Sequence, residues 1–225
     1  MQVIPALLEK NPADFISQVQ KLQPFFKSFQ TDIADGIFVP NKTVQIEEIE
    51  KYLTDRRSPV SDKLLFDFHL MVKDYESEIK KLSNLAIKKL MKINKVFIHF
   101  SLSPNIEYLI SKYSYFSFAP VLDPEDSVED LVKDNDLKLI DSLQIMSVHP
   151  GYQGQSFLPN VLKKIEQLRR QDYRKNIYLD GGINRQSIPL INSLKYRPDF
   201  LCIGSYLTKT EPLEEKINWL KEKVN

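Results

Sequence analysis

Eight times along this 225-residue chain, a short apolar run rich in β-branched and aromatic residues is followed by a longer amphipathic stretch. No other feature constrains the fold as much, because a period-2 run marks a strand and a period-3.6 stretch marks a helix. The pattern predicts strands over 3–7, 28–33, 64–70, 96–100, 116–121, 143–148, 177–179 and 200–203. It predicts helices over 11–21, 45–53, 75–89, 105–112, 127–133, 159–170, 186–194 and 212–224. Asn11-Pro12 has the form of a helix cap followed by a first-turn proline, and Leu162, Ile165 and Leu168 lay one apolar stripe along a helix face. Strict βα alternation implies a parallel sheet, and eight units of about 28 residues suit an α/β fold of the closed (β/α)8 barrel type. An open doubly wound sheet is the alternative. No linker, low-complexity tract or shift in composition divides the chain, so a single barrel domain spanning 1–225 is expected.

Composition excludes several function classes. Lysine plus arginine (31) against aspartate plus glutamate (30) leaves a formal charge of +1, so a globally basic nucleic-acid binder is ruled out. Lysine pairs such as Lys80-Lys81 and Lys88-Lys89 read as the solvated face of outer helices. The lone Cys202 can form neither an internal disulfide nor a cysteine-built zinc site, which suits a reducing compartment. The opening residues carry no basic segment before an apolar core, and no apolar run approaches the ~18 residues that span a bilayer. A cytoplasmic protein without nucleic-acid or membrane partners is the expectation.

Glycine is scarce, with six in the chain, and all follow an apolar strand-like run: Gly36, Gly151, Gly154, Gly181, Gly182 and Gly204. Scarcity suggests that each marks a backbone needing positive φ or close approach to a ligand. In a (β/α)8 barrel the chemistry sits on the loops after the strands. There, Asp32 shares one strand face with Gln30 and Ala34, inside an apolar run where an unpaired carboxylate is costly. Asp35-Gly36 next to it reads as a turn. His69 shares a face with Asp67 and Met71, and a lone histidine on a strand is more often a satisfied core residue than a ligand. Asp180 precedes Gly181-Gly182, so three polar groups meet at corresponding strand ends. The segment from Met146 to Phe157 and the segment Ile203-Gly204-Ser205 offer backbone N–H groups that can hold an anion, although neither is a nucleotide-binding lysine loop.

Four segments carry a family resemblance. Asp32-Ile33-Ala34-Asp35-Gly36-Ile37-Phe38-Val39-Pro40-Asn41 is similar to the D-x-x-D-G-x-F-V-P-N segment of the ribulose-phosphate 3-epimerases. His69-Leu70-Met71 matches their H-L-M, the loop from Met146 to Phe157 resembles their M-S/T-V-x-P-G-x-x-G-Q-x-F, and Asp180-Gly181-Gly182-Ile183-Asn184 matches their D-G-G-I-N. The matches run in order through nearly the whole chain. The resemblance implies an isomerase that epimerises a ketose phosphate at C3, such as ribulose 5-phosphate or allulose 6-phosphate. Asp32 and Asp180 would be the catalytic pair. A divalent metal (iron, manganese, zinc or cobalt) would sit on Asp32, His69, Asp180 and the residue at position 30. Met71 and Met146 would line the reacting carbon, and His149, Gly151, Gly154, Gln155, Gly181, Gly182, Gly204 and Ser205 would surround the phosphorylated substrate. The same resemblance implies a homo-oligomer.

The chain also departs from the family pattern. Gln30 stands where the family has a metal-binding histidine, and an amide oxygen is a poorer donor than imidazole for iron, zinc or cobalt. Ala6 replaces a serine near the substrate, Ala34 replaces a methionine, and Ser101 follows His99 where an acidic residue is usual. His149 takes the place of a different polar residue and can face either substrate or solvent. These departures leave the metal weakly bound or absent, and they motivate two further readings. One is a catalytically impaired phosphosugar-binding relative that keeps the anion loops; the other is a changed reaction such as decarboxylation of a sugar acid phosphate.

Overall fold

A computed structural model describes residues 1–55, 63–209 and 212–224. Eight strands follow in order: β1 (Gln2–Leu7), β2 (Ser28–Ala34), β3 (Leu65–Met71), β4 (Lys92–His99), β5 (Ser117–Leu122), β6 (Ser142–Met146), β7 (Asn176–Asp180) and β8 (Phe200–Ile203). Between and after them lie α1 (Pro12–Leu22), α2 (Ile46–Asp55), α3 (Tyr75–Ile87), α4 (Ile106–Lys112), α5 (Val128–Asp134), α6 (Lys163–Arg170), α7 (Ser187–Asn192), α8 (Ser205–Thr208) and α9 (Leu213–Val224). Each strand pairs in parallel with the next, and β1 pairs with β8 through Gln2↔Phe200 to Pro5↔Ile203, which closes the (β/α)8 barrel. The open sheet is therefore excluded. No helix among the described residues is long and apolar enough to cross a membrane.

Side-chain alternation produces two cores. Phe29, Ile33, Phe66, Phe68, Leu143, Ile145 and their neighbours face outward against the helices, in one large cluster with Phe15, Ile79, Leu82 and Ile165. The alternate residues Ile4, Ala6, Phe97, Ala119, Val121, Met146, Tyr178 and Cys202 fill the barrel interior. Each fully buried large apolar side chain contributes about 1.5–3 kcal/mol. The helices start where the sequence caps them: the Asn11 side chain accepts from the Asp14 N–H at 2.9 Å, and the Asp74 side chain accepts from Ser77 N–H at 3.0 Å.

Three elements differ from expectation. β4 begins at Lys92 rather than at 96, because Asn94 and Lys95 read as loop residues yet lie at the base of the barrel. There Asn94 Nδ2 donates to Asp67 Oδ1 (2.7 Å) and Lys95 Nζ to Ser117 Oγ (2.9 Å), with a register shift between Phe66 and Asp67. The segment expected as one helix over 159–170 opens with a 3₁₀ turn, Pro159–Leu162, before α6. α8 was not expected, since four residues are too few to show a helical period.

Candidate active site

The strand ends that carry Asp32, His69 and Asp180 converge at one end of the barrel. Register places Asp32 beside His69 across β2 and β3, and Asp180 beside Met146 across β6 and β7. One ligand atom from each of Asp32, His69 and Asp180 falls within 4.8 Å of the others, and all three residues are buried. They line a cleft together with Met71, Met146, Gly151, Gly154, Gln155, Gly181, Gly182, Gly204 and Ser205.

Gln30 lies beneath the cleft and is fully buried. Its Nε2 donates to Asp32 Oδ1 (3.0 Å) and to Asp180 Oδ2 (2.6 Å), so one neutral amide bridges both carboxylates. Its Oε1 accepts from Cys202 Sγ at 3.1 Å. His69 Nδ1 lies 3.2 Å from Asp32 Oδ1 and 3.7 Å from Asp180 Oδ2. Its other ring nitrogen meets His99 Nε2 at 2.9 Å, and His99 Nδ1 meets Asp123 Oδ2 at 3.0 Å. A row of carboxylate, two imidazoles and carboxylate therefore leads sideways out of the site.

Burial and the neighbouring Asp32 charge push the Asp180 carboxyl up to about 7, against the opposing pull of His69 and Gln30. Burial works against charge on His69, but its bond to Asp32 and the charges of Asp32, Asp180 and Asp123 outweigh it and raise its pKa. His99 is the reverse case, with burial dominating and its pKa lowered. Two carboxylates, one able to carry a proton near neutrality, thus share the site with an imidazole whose pKa they raise.

The glycines after β7 are steric necessities. A Cβ on Gly181 (φ +111°) would come within 2.4 Å of Val148 Cγ2, and one on Gly182 (φ +63°) within 2.9 Å of the Phe157 backbone. The loop after β6 thereby packs directly on the loop after β7. It is also tied to the loop after β2: Asn41 Nδ2 donates to the Gly151 carbonyl at 2.6 Å, and the Tyr152 hydroxyl donates to the Pro40 carbonyl. Gln155 braces this loop from within, donating to the carbonyls of His149 and Tyr152.

His149 points elsewhere. Its side chain is 62% exposed, its Nδ1 is 3.2 Å from Glu125 Oε1, and it is not among the residues lining the cleft. Sequence reasoning passed over Tyr152 and Gln153, which line the cleft, and Gln144, which bonds to Asp180 beneath it. Gln144 had a readable signal, since it alternates with Met146 inside an apolar run. Tyr152 and Gln153 had none, because nothing local separates a cleft-facing loop side chain from a solvent-facing one.

Comparison with known proteins agrees with this geometry. The sequence profile of the Ribulose-phosphate 3 epimerase family matches residues 2–208. The chain is 30% identical to a ribulose-phosphate 3-epimerase of Chlamydia pneumoniae over 91% of its own length and 87% of that protein. It is 28% identical to the enzyme of that name from Bacillus subtilis, covering 85% of each. Among solved structures, the 3-keto-L-gulonate-6-phosphate decarboxylase of Vibrio cholerae superposes with a TM-score of 0.62 over 100% of this chain and 96% of that one, at 12% identity. That likeness is one of fold alone.

Proposed function

The chain belongs to the ribulose-phosphate 3-epimerase family and is a sugar-phosphate isomerase acting on a ketose phosphate; from that premise we propose that Asp32 and Asp180 are its paired acid–base groups. The substrate is ribulose 5-phosphate, converted to xylulose 5-phosphate, or a related ketose phosphate such as allulose 6-phosphate. One observation carries the reading: two buried carboxylates sit on a common amide, Gln30 Nε2 being 3.0 Å from Asp32 Oδ1 and 2.6 Å from Asp180 Oδ2. Inversion at carbon needs a proton removed from one face and delivered to the other, which is work for two groups rather than one.

One aspartate takes the C3 proton, and the electron pair left behind moves into the adjacent C2 carbonyl to give an enediolate. The other aspartate delivers its proton to the opposite face of C3, and the carbonyl re-forms. Which aspartate starts as base depends on which epimer is bound. An Asp180 carboxyl that holds its proton near neutrality suits both directions. His69 Nδ1 lies beside both carboxylates, whose charges raise its pKa and so favour a proton there. Backbone N–H groups of Gly181, Gly182, Gly204 and Ser205 receive the phosphate, while Gly151, Gly154 and Gln155 shape the loop over it. Met71 and Met146 flank the reacting carbon with soft apolar surface that keeps water from the enediolate.

The donor set fits a divalent metal. Asp32, His69 and Asp180 already converge, and a half-turn of the Gln30 amide would bring Oε1 to face them as a fourth donor. An ion held there would act as a Lewis acid toward the enediolate oxygen.

A second reading, a phosphosugar-binding relative without turnover, has one observation in its favour. Gln30 turns its N–H, not its oxygen, toward the carboxylates. Proton exchange at C3 of ribulose 5-phosphate in heavy water, followed by NMR with and without added manganese, iron or zinc, separates the two. The epimerase exchanges and inverts C3, and Asp32→Asn and Asp180→Asn each lose about 10²–10⁴-fold in turnover while sugar-phosphate affinity changes little. Binding without exchange under every metal condition means a receptor or another substrate, and the same result with allulose 6-phosphate would overturn the enzyme reading.

A further inference from the structure

β6 sends Leu143 and Ile145 outward to the helices and Gln144 inward, between Val121 of β5 and Tyr178 of β7. Gln144 is fully buried, with the apolar interior residues Val121 and Tyr178 as its strand neighbours. Its Nε2 donates to Asp180 Oδ2 at 3.0 Å and lies 3.5 Å from Met146 Sδ. Its Oε1 has no hydrogen-bond partner. A buried unpaired carbonyl is destabilising, and a leucine or methionine here would avoid it. The glutamine is therefore a poor residue for packing, and its one satisfied group is the one that touches Asp180.

That contact has a direction. Gln30 Nε2 (2.6 Å), Gln144 Nε2 (3.0 Å) and His69 Nδ1 (3.7 Å) all approach the same oxygen, Asp180 Oδ2. Among the described residues, Asp180 Oδ1 has no hydrogen-bond partner. The two amides reach Oδ2 from β2 and from β6, so tilting the carboxylate plane away from them would break both bonds. Among the described residues Asp32 has no such second amide: its side chain shares Gln30 and His69 but receives nothing from Gln144.

We propose that Gln144 is a positioning residue that pins Asp180 Oδ2 and leaves Oδ1 to exchange the proton with one face of C3. The proposal rests on Asp180 being one of the two acid–base groups. Because only one of the two proton transfers depends on Gln144, its loss unbalances the pair instead of weakening both members.

The variants Gln144→Met and Gln144→Leu keep the volume and remove the N–H. For both we expect kcat to fall about tenfold with KM little changed, the pattern for an interaction made in the transition state. Melting temperature should hold or rise, since the unpaired carbonyl is gone. The diagnostic readout uses ribulose 5-phosphate and xylulose 5-phosphate separately in heavy water, taking for each the ratio of C3 exchange to net conversion. Slowing only the Asp180 step makes the enediolate return more often to the epimer that Asp32 deprotonates. The ratio then rises from that epimer and falls from the other. Wild-type kcat in both variants, or a lower kcat with the ratio unmoved from both epimers, overturns the positioning role and leaves the epimerase reading standing. A wild-type protein that exchanges neither sugar, nor allulose 6-phosphate, overturns both.

Discussion

At the scale of single residues, the site turns on what an amide can do that an imidazole cannot. Gln30 offers a donor and an acceptor on one planar group, related by a half-turn about its last torsion. With N–H inward it bridges Asp32 and Asp180 and neutralises some of their repulsion, and Cys202 satisfies the oxygen. With the oxygen inward it faces ionised carboxylates acceptor to acceptor, an arrangement that a cation between them makes favourable. A metal entering here displaces two hydrogen bonds before gaining a weak ligand. Gln30→His removes that competition and supplies a stronger donor, so metal affinity should rise about tenfold or more, on the scale of changes around metal sites. Calorimetric titration with manganese or zinc measures this directly. Unchanged affinity would mean that position 30 does not reach the ion.

At the scale of elements, the cleft is assembled from loops that lock one another. The loop after β6 rests on Gly182, where a Cβ would meet Phe157 backbone at 2.9 Å, and φ is +63°. Gly182→Ala therefore meets both a left-handed backbone and an immovable neighbour, for a cost of about 1–3 kcal/mol. Gly182 is itself one of the groups assigned to the phosphate and the displaced loop is the one shaped over it, so the KM for the sugar phosphate should rise several-fold more than kcat falls. Thermal unfolding and steady-state kinetics together test it. A variant with unaltered KM would place the phosphate away from this loop. The β2 loop belongs to the same assembly through Asn41 and Gly151, so strain in one loop is shared by the others.

At the scale of the whole molecule, the barrel is held from outside by helices whose contacts are not all favourable. Glu78 of α3 is buried, and its Oε1 accepts from Lys81 Nζ at 2.6 Å, which also bridges to Glu47 of α2. Its Oε2 has no partner. Burial raises the Glu78 pKa, Lys81 opposes it, and Glu47 and Asp74 add to the rise. A carboxyl with a raised pKa favours the fold in its protonated form. Its contribution is complete below the ordinary glutamate value of about 4.3 and is lost as pH rises through the folded-state value. Glu78→Gln is neutral throughout, so its stability relative to wild type should increase from pH 4 toward pH 7 in chemical unfolding. A gap that does not change with pH would show that the fold does not disfavour the charge.

The βα rhythm was legible in the residues themselves, because strand and helix periods are local properties that short runs such as Ser28–Ala34 display without help from the rest of the chain. The trio Asp32, His69 and Asp180 was legible too, since a carboxylate or imidazole inside an apolar strand is costly unless it has a partner. Barrel closure was the expectation from eight units, which the β1–β8 pairing bears out; the polar base that lengthens β4 and the bridging of both aspartates by Gln30 required the tertiary structure. So did the outward turn of His149 and the inward reach of Gln144. In each of these, the deciding group lies on a strand or loop distant in sequence, as Gln30 and Asp180 are 150 positions apart. Periodicity tells which face of a strand a side chain occupies; only the closed barrel decides which other side chains share that face's interior and at what distance.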